Sequence, residues 1–61
     1  MKTSEFIRQL KKQGIKLYRH GSKHDVYINP ENGNKTEVPR HKSKEIGTGI
    51  RERILKDLGL K

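Results

Sequence analysis

No more than two of Ile, Leu, Val, Met and Phe are ever adjacent in this sequence. Nothing in it therefore resembles a signal peptide or a membrane span, and a core has to be assembled from patterned faces. The supply is thin. Ile, Leu, Val and Phe number 14 of 61 residues, just above the level at which a highly charged chain stays disordered. A chain of this length has room for one small domain, spanning 1–61, and domains of that size hold only a few kcal/mol in reserve unless stapled or bound. With no cysteine there is no disulfide to staple it and no thiolate metal site. These features fit a soluble, cytoplasmic protein.

The pattern changes period twice. Segment 3–13 has a helical stripe of Phe6, Ile7 and Leu10, with Thr3 or Ser4 placed to cap it, Glu5 in its first turn and Gly14 at its end. From Ile15 the chain alternates, Ile15 and Leu17 on one side, until Gly21-Ser22 breaks the run. Residues 23–29 alternate again, with His24, Val26 and Ile28 on one face. The Pro30–Asn34 segment is a turn, and 35–38 form a third strand closed by Pro39. A helical period returns with Ile46, Ile50, Ile54, Leu55 and Leu58. This predicts a helix over 48–58, capped by Thr48 and ended by Gly59. The predicted order is α-β-β-β-α, an α+β fold in which two helices seal one face of a three-stranded antiparallel sheet and leave the other open.

Charge narrows the partner. The net charge is +8, and the cations thicken in two places: Lys16, Arg19, His20, Lys23 and His24, then Arg40, His41, Lys42 and Lys44. Asp25, at the edge of the first cluster, is their only acid. A surface built for solubility intersperses the two signs. Single-sign clusters suit phosphates, giving a salt-dependent and sequence-tolerant affinity. With no Trp, one Phe needed for the core and only Tyr18 and Tyr27 for stacking, a base-stacking platform for single strands is poorly supported. Recognition of an RNA backbone and its 2′-hydroxyls fits better.

Most chemistry is excluded by inventory. There is no Cys nucleophile and no phosphate-cradling Gly-rich loop, and the seven acids are scattered singly, which disfavours a two-metal site. The three histidines match no zinc-ligand spacing, so no metal or other cofactor is expected. RNA, however, brings its own nucleophile, the 2′-hydroxyl, and an imidazole near neutrality can move the proton. His20 and His41 read as extra cationic contacts. His24 opens a strand with the parity of Val26 and Ile28, which places it half shielded at the rim of the core. From the residues alone, a histidine without chemistry there is the commoner outcome.

Taken together, four pieces resemble the HicA toxins of HicA–HicB toxin–antitoxin systems. They are a short helix ending in Gly14-Ile15, then Gly21-Ser22-Lys23-His24, then Val38-Pro39-Arg40-His41, then Glu45-Ile46-Gly47-Thr48-Gly49-Ile50-Arg51 with Ile54-Leu55-Lys56. The resemblance spans nearly the whole chain in order. It implies a double-stranded-RNA-binding-domain-like fold, ribosome-independent mRNA interferase activity, and neutralisation by a HicB antitoxin that covers the active site. The family's catalytic histidine, at the end of its Gly-Ser-X-His motif, falls on His24. Many relatives carry His where this chain has Lys23.

The sequence thus predicts a metal-independent endoribonuclease, the toxin of a type II pair, with His24 as the catalytic group. Lys16, Arg19, Gly21, Ser22, Lys23, Arg40, His41, Lys42 and Lys44 are the expected RNA contacts. Its partners are mRNA and a HicB-like antitoxin, with no membrane and no DNA contacted except through the antitoxin. Two other readings use the same residues: a non-catalytic module for structured RNA, and a basic domain that only docks an acidic protein.

Overall fold

The computed structural model describes residues 1–41 and 43–61. The first helical stripe forms α1 (Thr3–Lys12), which buries Phe6, Ile7 and Leu10 and ends where Gly14 turns left-handed at φ +89°. Three strands follow, β1 (Lys16–His20), β2 (His24–Ile28) and β3 (Lys35–Pro39), paired antiparallel in that order, and α2 (Thr48–Asp57) closes the chain. Every element lies within a residue or so of its predicted place. One cluster joins Phe6, Ile7 and Leu10 of α1 to Tyr27, Val38, Ile46, Ile54 of α2 and Leu58 just beyond it. Both helices therefore pack on one sheet face, the double-stranded-RNA-binding-domain-like arrangement. Among the described residues no helix is long and apolar enough to cross a membrane.

The parity of β2 is the reverse of the expected one. Asp25 and Tyr27 point to the helices, opposite Val38 and Thr36 of β3, while His24, Val26 and Ile28 lie on the open face. Tyr27 decides this. Its ring is 3% exposed and fills the space between the helices with Val38, a larger apolar burial than Val26 could supply there. Tyr27 is thus unavailable for stacking, and burial, aided by the Asp25 charge, pushes its hydroxyl pKa up. His24 is exposed rather than half shielded.

Three smaller expectations fail for local reasons. Leu17 shares the face of Tyr27 but is 42% exposed, because β1 is an edge strand and reaches past the helices. Ile50 is 44% exposed in the first turn of α2, before the helix meets the core at Ile54. Neither helix has a side-chain cap. Instead the chain just before α1 bridges the chain just before α2, Lys2 to Glu45. Thr3 donates its N–H (2.9 Å) and its hydroxyl (3.0 Å) to the Lys44 carbonyl. That bridge satisfies donors that a cap would otherwise serve.

Candidate active site

The turn between β1 and β2 presents Ser22, Lys23 and His24, and its geometry follows from Gly21. The Gly21 N–H donates to the His24 carbonyl at 2.8 Å, and a β-carbon at Gly21 would sit 2.4 Å from that same oxygen. Only glycine closes the turn so tightly. His24 then pairs with Pro39 at the end of β3, which brings the chain after β3 alongside the turn. The result is a depression of about 490 Å³ lined by Ser22, Lys23, His24, Pro39, Arg40 and His41. Two segments about fifteen residues apart in sequence thereby form one cationic surface with an exposed imidazole in it.

Beneath this surface lies a buried acid. Asp25 is 5% exposed, and its Oδ1 accepts from Arg40 Nε at 3.1 Å and Arg40 Nη2 at 3.0 Å, with His20 Nδ1 at 3.0 Å. Arg40 also donates to the Gly21 carbonyl. The hydrogen bond from His20 holds the Asp25 carboxyl below its usual range. Burial opposes that shift, and Arg40 adds to it by hydrogen bond and charge. Asp25 is not among the site residues that the sequence predicts, although a lone acid beside a run of cations is a candidate for an ion pair.

The remaining expected contacts are dispersed. Arg19 pairs with Val26 on the open face, one step along the sheet from His24. Lys16 pairs with Ile28 at the far end of β2, roughly 13 Å away at strand spacing, so it does not share the depression. Lys44 is exposed, and its carbonyl anchors Thr3. Lys42 lies outside the described residues. Among the described residues no group of three His, Asp or Glu side chains is placed to hold a metal ion.

This arrangement can hold a phosphodiester against Lys23 while an imidazole exchanges a proton with it, in a site open to a long substrate. Residues 3–60 match the family described as HicA toxin of bacterial toxin–antitoxin systems. The chain is 47% identical over 62 aligned residues to the probable mRNA interferase HicA of Pseudomonas fluorescens (strain Pf0-1), covering 100% of this chain and 98% of that one. Against the probable mRNA interferase toxin HicA of Escherichia coli (strain K12) the identity is 42% over 60 residues, covering 98% of each chain. A chain in the crystal structure of the E. coli HicAB toxin–antitoxin complex superposes with a TM-score of 0.87 at 40% identity, covering 98% of this chain and 100% of that one.

Proposed function

This chain belongs to the HicA toxin family, and from that premise we propose that it is an mRNA interferase, the toxin of a pair completed by a HicB antitoxin, with His24 moving the proton during cleavage. In this reading residues 1–61 act as one domain that works where mRNA is, in the cytoplasm. The single observation that supports His24 is its exposure at the end of β2 within a depression otherwise lined by Ser22, Lys23, Pro39, Arg40 and His41.

The chemistry needs little else. The RNA 2′-oxygen attacks the neighbouring phosphorus as it loses its proton, and the bond from phosphorus to the 5′-oxygen breaks as that oxygen gains one. The products are a 2′,3′-cyclic phosphate and a 5′-hydroxyl. His24 takes the first proton or gives the second. It cannot do both in one step, and His41, which lines the same depression, or a water molecule completes the exchange. Cations beside the scissile group position it and stabilise its charge.

An acidic HicB antitoxin seated over the depression would be steered by the +8 charge of this chain and would compete with RNA. The test is cleavage of end-labelled mRNA by the purified chain, with and without antitoxin, and analysis of the new ends. Cyclic phosphate ends, lost when antitoxin is added, are expected. RNA that is bound but left intact would instead make the chain a binding module, and a ternary complex without loss of affinity would remove the competitive antitoxin.

A further inference from the structure

We propose that Asp25 and Arg40 are positioning residues for cleavage, a clamp that locks the turn presenting His24 to the strand end presenting His41. The proposal rests on the reading of His24 given above.

The geometry is that of a fixture. Asp25 directly follows His24 in β2, so strand alternation sends its side chain to the helix face while the imidazole goes to the open face. Holding Asp25 from below therefore fixes the backbone from which His24 projects. Two donors of one guanidinium converge on a single carboxylate oxygen. The same guanidinium reaches the carbonyl of Gly21, whose N–H is itself bonded to the His24 carbonyl. Arg40 and His41 are consecutive, so the clamp also sets where the second imidazole begins. The two segments lining the depression are thus tied through one side chain.

Stability alone does not call for the pair, since an ion pair whose arginine is 42% exposed contributes little to it. What the pair supplies is direction: a planar fork admits one orientation, which an ammonium does not reproduce. Small displacements matter in such a site, where roughly 1 Å can cost a hundredfold in rate. Arg40, although its side chain is 42% exposed, then commits its donors to Asp25 and Gly21, and its contribution to phosphate binding is correspondingly small. This reassigns a residue that the sequence reading placed among the RNA contacts.

The experiment compares Arg40→Gln, Arg40→Lys, Asp25→Asn and the Arg40→Gln/Asp25→Asn pair with the parent and with His24→Ala. Single-turnover cleavage is followed at saturating RNA, together with KM and the salt dependence of RNA affinity, below the melting temperature of each variant. The clamp variants are expected to lose about 10- to 100-fold in kcat with KM and the salt slope close to parent. The double variant should be no worse than either single one, because both break the same contact. Arg40→Lys should not restore the rate. An inactive His24→Ala beside clamp variants of parental kcat overturns the clamp alone. So does Arg40→Gln with a salt slope reduced by about one contact and an intact kcat, the behaviour of a phosphate ligand. A fully active His24→Ala overturns the reading of His24, and the clamp with it.

Discussion

The two ends of β2 are fastened in opposite ways. At the His24 end, the turn is held by charge: Asp25, Arg40 and His20 meet below it, and Lys23 and His41 stay exposed above it. At the Asn29 end, the turn is held by neutral amides. Asn29 Nδ2 donates to the Leu58 carbonyl at 2.8 Å and Asn32 Nδ2 to the same oxygen at 3.2 Å, while the Asn29 and Asn32 side-chain oxygens accept from Glu31 and Asn34 backbone N–H groups. Gly59, at φ +74°, lets the chain leave α2 close against these asparagines. Amides suffice to satisfy the last carbonyls of a helix and to fix a turn. A fold that manages one end without charge did not need charge at the other, and that end is where the functional residues gather.

The largest expected effect breaks the comparison at its functional end. His24→Ala should lower the cleavage rate by roughly 10²- to 10⁴-fold, the usual contribution of a general acid or base. Because His24 is exposed and makes no side-chain hydrogen bond among the described residues, circular dichroism and melting temperature should stay near parent. Parental activity in this variant would sink the assignment. Cleavage by the parent should persist in excess EDTA, and activity lost to chelator and restored by a divalent ion would point to different chemistry.

The mirror-image change belongs to the other end. Asn29→Asp removes the donor to the Leu58 carbonyl and sets a negative charge at the negative pole of α2. It should cost about 1–3 kcal/mol in chemical denaturation, with kcat per folded molecule unchanged. A large loss of kcat without a loss of stability would show that the two ends are not separable in the way described.

Acid should distinguish the ends as well. The folded Asp25 carboxyl titrates below its unfolded value, so its stabilisation is complete above the unfolded pKa of about 3.9 and disappears as pH falls through the folded one. The amide-held end has no such dependence. Glu45, lowered by its bond to the N-terminal ammonium, adds an acid response of its own. The measurement is therefore the difference between parent and Asp25→Asn in melting temperature, which should shrink below about pH 4. A difference that grows on acidification would mean that Asp25 is not held as an anion.

What the sequence discloses and what it hides divides along similar lines. Periodicity exposes the helices, because Phe6, Ile7 and Leu10, or Ile54 and Leu58, have only one way to share a face. It fails for β2, where both parities hold apolar residues, Val26 and Ile28 against Tyr27. The tie is broken by the larger burial of Tyr27, among core residues remote from it in sequence. Turn chemistry marks Pro30–Asn34 as a turn but not its bond to Leu58, since no local signal reports a contact across 29 residues. The same holds for the site. Gly21–His24 and Val38–His41 are visible as separate motifs, and only the pairing of His24 with Pro39 makes them one surface.

The smallest expected effect concerns what the exposed cations of the functional end contribute once the clamp is set aside. Lys23 lines the depression and has no ion-pair partner among the described residues. A free ammonium there acts as a point charge on phosphate. Lys23→Ala should therefore reduce the slope of log affinity against log salt by about one contact and weaken binding evenly across RNA sequences, with kcat at saturating RNA changed little. Lys16→Ala, at the amide-held end, should leave the slope of a short RNA spanning only the depression unchanged. If instead Lys23→Ala lowers kcat and flattens one limb of the pH–rate profile while the salt slope holds, Lys23 exchanges the second proton with the substrate. The functional end would then contain two proton-transfer groups on adjacent residues, Lys23 and His24.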